Sequence, residues 1–232
     1  MFISTHAYSA QVLGQRVSET LPKFMQDLQH LRHLQAAWAN HKITHRTAQL
    51  LALAERIEAN KPELAAAVCM EVGRCLRECE AEIDKTVDLI RYYAKLAPEL
   101  LDSKTITTQA SLSQVRFEPL GVVLAVMPWN YPVWQIMRFA VPALCAGNAC
   151  LVKPAPSVAQ VTAKLMALVD EAMPLHASYI EHDLIETAIE HADAMAFTGS
   201  TDTGRYLASL AGKHIKKCVL ELGGSNAFIV LD

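Results

Sequence analysis

The sequence predicts an α/β protein in which a parallel sheet with flanking helices follows an N-terminal helical segment and a β-hairpin arm. Two patterns carry this prediction. Up to about residue 102, apolar residues recur at three- and four-residue intervals, as they do on one face of a helix. After residue 119, short apolar runs alternate with helical stretches, which is typical of βαβ units and of a Rossmann-like parallel sheet.

The first half of the chain divides into a helical part and an arm. Residues 1–102 are predicted to be helical, with clear amphipathic stretches at 46–59 and 75–96. Residues 103–118 are rich in Thr and Ser and favour one extended hairpin. An arm this polar either packs on a second subunit, which would make the protein a homo-oligomer, or is an ordinary edge hairpin. The spacing alone does not choose between the two.

Residues 119–232 are predicted to be strand–helix repeats. Helices are expected from Val133 to Cys145, from a capping box at Ser157–Gln160 to Met173, and from Thr203 to Ala211. The predicted strands are 121–128, 148–154, 194–199, 217–224 and 227–231. Because ligands bind beyond the carboxyl ends of the strands in such sheets, those ends are the places to look for function.

Composition excludes several classes of protein. With 52% apolar residues and a net charge of −3, the 232-residue chain is neither disordered nor equipped with the basic excess of a nucleic-acid-binding protein. The 19 uncharged residues from Pro119 to Met137 are interrupted by Pro128, Asn130 and Pro132, so they predict a buried strand and helix rather than a membrane span. No signal peptide is predicted, and the expected compartment is the cytoplasm.

Four strand ends carry polar groups or glycines. Asn130, in a turn fixed by two prolines, is a neutral donor suited to an oxyanion or else a turn-stabilising amide. Lys153 either meets an anion or is a surface lysine. The turn at 199–204 suits a phosphate but lacks the lysine of a P-loop. Glu221, before two glycines, is a candidate general base or a salt-bridging residue. Parallel topology brings all four ends to one crevice.

The motifs at these ends resemble those of the aldehyde dehydrogenase superfamily. The matching stretches are EPLGVVLAVMPWNYP, PALCAGNACLVKPAPS, AFTGSTDTG and VLELGGSNAFIVLD, with EVGRCLRECEAEI in the N-terminal helices. PWNYPVWQ and KKCVLELGGSNAFIVL are most similar to the NAD(P)-dependent succinate-semialdehyde dehydrogenase group. The resemblance implies an oxidoreductase that acts on a small-molecule aldehyde, with succinic semialdehyde favoured, and that uses NAD or NADP.

The resemblance also assigns roles to residues. Asn130 corresponds to the oxyanion amide and Glu221 to the general base of deacylation. The cofactor contacts that it implies are Met127, Pro128, Trp129, Lys153, Pro156, Gly199, Ser200, Thr203, Leu222 and Gly223. Many NAD-preferring members carry Glu three residues after this lysine. Pro156 stands there instead, so we expect a 2′-phosphate to be tolerated.

The chain departs from the family pattern in two places. The nucleophilic cysteine of the family lies beyond ELGG in a separate catalytic domain, and none of the six cysteines stands in its motif. We therefore expect a truncated chain without turnover of its own. The alternative is a catalytically inactive dinucleotide-binding or assembly module. The stretch 173–195 is short and lacks glycine, which predicts the loss of one cofactor-side strand.

No metal site is predicted. Cys75 and Cys79 lie four residues apart on a predicted helix, but no further Cys or His completes a ligand set with zinc spacing. We expect His176, His182 and His191 to be solvated rather than to act as ligands.

Overall fold

A computed structural model describes residues 1–230 of the chain. The helices are α1 Leu21–Asn40, α2 Ile43–Ala59, α3 Lys61–Val72, α4 Leu76–Leu100, α5 Pro132–Cys145, α6 Ala159–Met166, α7 Ile185–His191 and α8 Thr201–Lys213. The strands are β1 Phe2–Thr5, β2 Val12–Arg16, β3 Lys104–Thr105, β4 Gln114–Val115, β5 Val122–Val126, β6 Ala149–Lys153, β7 Leu175–Ala177, β8 Ala194–Gly199 and β9 Lys217–Leu222.

Five strands form one parallel sheet in the order β7-β6-β5-β8-β9, which confirms the predicted fold class. The central strand β5 is buried from Val122 to Ala125. Burial on both faces explains why the central strands read as continuous apolar runs and not as alternating ones. The order reverses between β5 and β8, and such a reversal opens a crevice at the carboxyl ends of the strands.

Helices cover both faces of the sheet. Val122 and Leu124 of β5 pack with Phe24 and Leu28 of α1, and α7 and α8 join that layer. Ala125, on the opposite face, belongs to a core that α2 to α6 complete. The N-terminal helices therefore supply much of both outer layers.

The prediction that residues 1–102 are helical is wrong at the N-terminus. Residues 2–16 form an antiparallel hairpin of β1 and β2, with a register shift at Ser4 and Thr5. Strands of four and five residues are too short to give a clear periodicity. The pair is anchored by tertiary contacts, because Phe2 is fully buried and its ring meets that of Tyr179 edge-on at 5.5 Å.

The predicted loss of a strand between residues 173 and 195 is also wrong. Leu175, His176 and Ala177 form β7, which pairs in parallel with β6. The strand directly follows Pro174, is three residues long and contains no glycine. Burial of Leu175 and Ala177 stabilises it, although the apolar run in the sequence is short. The outermost strand on this side of the sheet is therefore present, although it is short.

Several predicted boundaries differ from the observed ones, most clearly at α6 and at the last predicted strand. Helix α6 begins at Ala159 and ends at Met166, seven residues before the predicted Met173. Ser157 does not cap it, because a buried carboxylate from α3 takes that role. Residues 227–230 are exposed and lie outside any strand, and Leu231, the last residue of that predicted strand, lies outside the described residues.

The arm at 103–118 is a hairpin, as predicted, with β3 and β4 paired antiparallel. Its apolar side chains Ile106, Leu112 and Phe117 are exposed. None of the helices within residues 1–230 has the length and apolarity that crossing a membrane would require.

Candidate functional site

The register of the sheet aligns the four predicted strand ends. Val126 at the end of β5 pairs with Lys153 on one side and with Phe197 on the other. One residue further along β8, Thr198 pairs with Glu221 of β9. The turns that carry Asn130, Lys153, Gly199 and Glu221 therefore leave the same edge of the sheet.

Asn130 lies in an exposed turn that is held by a hydrogen bond from Tyr131 and by a contact between Tyr131 and Arg74. The backbone N–H of Tyr131 donates to Oδ1 of Asn130 at 3.1 Å, so the amide nitrogen remains available as a donor. The guanidinium of Arg74 lies 3.9 Å from the centre of the Tyr131 ring. Trp129, next to Asn130, is exposed, whereas Met127 is buried and donates its N–H to the carbonyl of Lys153 at 3.0 Å.

The helix that follows this turn is held by a buried carboxylate. Oε1 of Glu82, on α4, accepts the backbone N–H groups of Val133 at 2.9 Å and Trp134 at 3.0 Å. The other oxygen of Glu82 is paired with Arg74. Glu82 thus satisfies N–H groups that the first turn of α5 leaves without a helical partner. Sequence reasoning missed Glu82, because its partners are 51 and 52 residues away.

Lys153 is buried rather than a surface lysine, with 6% of its surface exposed. Its ammonium lies 5.5 Å from the centre of the Phe2 ring. Burial lowers the pKa of Lys153, and the nearby Glu181 carboxylate opposes that shift. A buried amine of this kind is suited to hydroxyl or phosphate oxygens of a ligand.

The segment after Lys153 is braced in the same way as the first turn. Pro156 begins a short 3-10 turn, Pro156–Val158. Glu71 of α3 then accepts the N–H groups of Gln160 at 3.0 Å and Val161 at 2.8 Å, and Ser4 donates to the same carboxylate.

The turn between β8 and α8 is less occupied. Ser200 caps α8, with Oγ 3.3 Å from the N–H of Thr203. A side chain at Gly199 would place its Cβ 2.5 Å from Cζ of Phe197, so the backbone at this turn packs closely against that ring. The N–H groups of the first α8 residues have no helical partner and are suited to an anion.

Glu221 is more exposed than its position in an apolar strand suggested, with 58% of its side chain accessible. Oε2 of Glu221 lies 3.7 Å from Nη2 of Arg138 on α5, and both line a cavity of about 240 Å³ with Met127, Gln135 and Phe197. Leu222 and Gly223 follow at the exposed rim. Arg138 was missed, although it is the sole charged residue between Pro119 and Val152 and so carried a visible signal.

The cysteine thiols do not join this group. Burial raises the pKa of Cys79 and Cys145 to about 11, and it raises the pKa of Cys150 further. Cys218 also has its pKa raised by burial. The thiolate, which is the nucleophilic form, is therefore disfavoured at these four positions.

Comparison with known proteins places this geometry in context. Residues 5–232 match the sequence profile of the Aldehyde dehydrogenase family. The chain is 38% identical over 201 residues to the succinate-semialdehyde dehydrogenase [NADP(+)] of Deinococcus radiodurans, which covers 84% of this chain and 42% of the relative. It is 34% identical over 245 aligned positions to the succinate semialdehyde dehydrogenase [NAD(P)+] of Escherichia coli, covering 99% of this chain and 52% of the relative.

The fold is similar to that of a solved relative over the whole chain. The crystal structure of succinic semialdehyde dehydrogenase from Streptococcus pyogenes in complex with NADP+ superposes with a TM-score of 0.93 at 29% identity. The match covers 100% of this chain and 52% of that one. The chain thus spans about half the length of the relatives it matches.

Proposed function

The chain belongs to the aldehyde dehydrogenase family, and we propose that it is the cofactor-binding part of an NAD(P)-dependent enzyme that oxidises succinic semialdehyde to the carboxylic acid. The observation that carries this proposal is the alignment of four strand ends, bearing Asn130, Lys153, Gly199 and Glu221, at one edge of the sheet. The names of the relatives support the choice of substrate and cofactor.

The residues at this edge fit a dinucleotide. Lys153 provides a buried amine for the oxygens of the adenosine ribose. Gly199, Ser200 and Thr203 lie at the turn from β8 into α8, where N–H groups suit the pyrophosphate. Trp129, with Met127 and Pro128 before it, follows β5, and Leu222 and Gly223 stand at and just after the end of β9, so we assign these residues to the crevice as well. No carboxylate stands at Pro156 to repel a 2′-phosphate, so we propose that NADP is accepted as well as NAD.

The reacting groups would be held from the same edge. When bound, the nicotinamide supplies the hydride acceptor. Asn130 would donate its amide N–H to the developing oxyanion, because its amide oxygen is already engaged by Tyr131. Glu221 would take a proton from the water that attacks the acyl group. Arg138 gives the adjacent cavity a cation for the carboxylate of the substrate.

Cofactor binding tests the proposal directly. We expect NADP+ and NAD+ to bind the 232-residue chain with affinities within tenfold of each other, measured by isothermal titration calorimetry. Lys153→Met should weaken binding by about 10- to 100-fold, because a hydrogen bond to a charged group is lost. Lys164→Met, on the exposed side of α6, is the matched control. Equal affinity in Lys153→Met and wild type would contradict the assignment of Lys153.

Turnover separates the enzyme from its alternative. The chain by itself should form no NADPH with succinic semialdehyde, because none of its six cysteines stands in the motif of the family's nucleophile. Steady-state NADPH formation by this chain would overturn that expectation. If the chain also binds neither NAD+ nor NADP+, the alternative hypothesis of a catalytically inactive assembly module is favoured.

We extend the proposal to self-association through the arm at 103–118. Ile106, Leu112 and Phe117 expose apolar surface there without a partner in the described chain. Light scattering after size-exclusion chromatography should give a dimer or larger species, and Leu112→Asp should reduce it to a monomer. The six cysteines are all free, as in proteins of reducing compartments, and we propose a cytoplasmic location.

A further inference from the structure

A separate group of polar side chains lies at the outer edge of the sheet, beyond β6 and away from Asn130 and Glu221. Glu19 precedes α1, Asp27 lies on α1, and His176, for which the sequence alone predicted a solvated side chain rather than a ligand, lies on β7. One ligand atom from each, two carboxylate oxygens and one imidazole nitrogen, lie within 4.8 Å of one another. We propose that these three side chains bind a divalent transition-metal ion, with Zn²⁺ or Mn²⁺ the best matched.

The fold brings the three residues together from distant parts of the chain. In β7, Leu175 and Ala177 are buried and His176 points to the opposite face. His176 pairs in register with Leu151, whose side chain belongs to the core beneath α1. His176 is therefore on the same side of the sheet as α1, and Asp27 is on that helix. Its Nε2 lies 3.7 Å from Oδ2 of Asp27. Because this separation is longer than a hydrogen bond, the two atoms are not bonded directly to each other.

Both carboxylates are oriented by contacts behind them. The N–H of Tyr179 donates to Oε1 of Glu19 at 2.8 Å, and the hydroxyl of Ser178 donates to Oε2. Lys23 binds Oδ1 of Asp27, which leaves Oδ2 facing His176. Such outer contacts fix the direction of ligand side chains at metal sites.

The surroundings favour a cation. A cavity of about 600 Å³ opens beside the group, and apart from histidines its acidic and basic lining residues are Asp27, Asp170, Glu171 and Arg16. With Lys23 at Asp27 and Glu19 included, four carboxylates face two basic side chains, and the space admits water to complete the coordination. One imidazole and two carboxylates match Zn²⁺ or Mn²⁺, whereas Ca²⁺ and Mg²⁺ prefer oxygen donors alone.

Titration of the chelator-treated full chain with ZnCl₂ and MnCl₂ in a calorimeter tests the proposal. We expect one site in the wild type, and His176→Ala and Asp27→Asn should each weaken it by tenfold or more. His30→Ala is the matched control, because His30 lines the same cavity but is outside the three-residue group. It should bind as the wild type does. Cofactor affinity plays no part in the result, so this test is independent of the proposed function.

A second pair of histidines could also bind Zn²⁺, and variants at each site distinguish the two. His41 and His45, at the junction of α1 and α2, have ring centres 4.2 Å apart and are a second place where Zn²⁺ could be chelated. Loss of binding in a His41→Ala/His45→Ala variant, with binding retained in His176→Ala, would overturn the proposal. So would a wild type that binds neither ion. Circular dichroism in EDTA checks folding. If His176→Ala is unfolded, a metal-induced rise in the melting temperature of wild type that Glu19→Gln lacks still supports the site, and an equal rise in both contradicts it.

Discussion

Helices α5 and α6 begin differently from α8, although all three follow strands that end at the same edge. The first N–H groups of α5 donate to Glu82 and those of α6 donate to Glu71. Both carboxylates are buried. Helix α8 is capped by its own exposed Ser200 alone.

The difference separates framework from ligand-facing surface. A helix N-terminus attracts an anion, and at α5 and α6 the protein supplies that anion from the N-terminal helices. Those two turns, which carry Asn130 and precede Pro156, are thereby fixed to α3 and α4. Within the described residues, no carboxylate from another helix accepts the first N–H groups of α8, and the acidic Asp202 of its first turn pairs with Arg205 instead. This supports the proposed position of the pyrophosphate.

The largest expected effect comes from removing the α5 brace. Glu82→Ala deprives two buried N–H groups of their acceptor and leaves Arg74 without its partner. Since breaking a buried ion pair typically costs about 3–5 kcal/mol, the free energy of unfolding should fall by that amount. Urea denaturation measures it. Asp88→Ala, at an exposed position of the same helix, is the control and should change little. A loss below about 1 kcal/mol, the range of exposed pairs, would contradict the assigned brace.

Removing the α6 brace should cost less, because Glu71 has no arginine partner. Glu71→Ala leaves the N–H groups of Gln160 and Val161 unpaired and should lower the free energy of unfolding by about 1–3 kcal/mol at neutral pH. The same urea experiment gives the value. An effect as large as that of Glu82→Ala would mean that the ion pair with Arg74 adds nothing.

Glu71 also makes a pH-dependent contribution. Burial raises its pKa above the ordinary 4.5, and hydrogen bonds from Ser4, Val161 and Gln160 oppose the shift. The folded state then holds this proton more tightly than the unfolded state, so stability falls as pH rises from 4.5 through the raised value. Glu71→Gln is neutral throughout. The unfolding free energy of wild type minus that of Glu71→Gln should therefore decrease with rising pH. If this difference increased instead, the pKa of Glu71 would be lowered in the folded state, which would contradict the assigned effect of burial.

The smallest effect is expected at α8. Ser200→Ala removes an exposed cap and should lower the free energy of unfolding by about 0.5–1 kcal/mol. It should nevertheless weaken NADP+ binding, measured by calorimetry, whereas Thr201→Ala keeps the cap and serves as control. If Ser200→Ala were as destabilising as Glu71→Ala, the contrast between the helices would disappear.

The strand ends were predictable because they depend on local sequence and on a general property of parallel sheets. Apolar runs that stop at Asn130, Lys153, Gly199 and Glu221 identified the edge before any coordinates. The exposure of Glu221 and the burial of Lys153 were not predictable. Phe2 lies near Lys153, and Arg138 lies near Glu221, and neither neighbour is implied by spacing along the chain.

The wrong predictions for β1, β2, β7 and the start of α6 share one cause, which is contact between residues that lie far apart along the chain. Strands β1, β2 and β7 are short and are held by contacts with residues far along the chain, as Phe2 is with Tyr179. The capping box at Ser157–Gln160 satisfied the sequence rule, but a carboxylate 89 residues away took its place.

By itself, the sequence determined the parallel sheet, the arm and the residues at the carboxyl edge, because periodicity and turn chemistry act between neighbours along the chain. Only the tertiary structure decided which helices are braced, which lysine is buried and where Glu19, Asp27 and His176 meet. Those outcomes depend on burial and charge pairing between segments that the fold alone brings within a few ångströms.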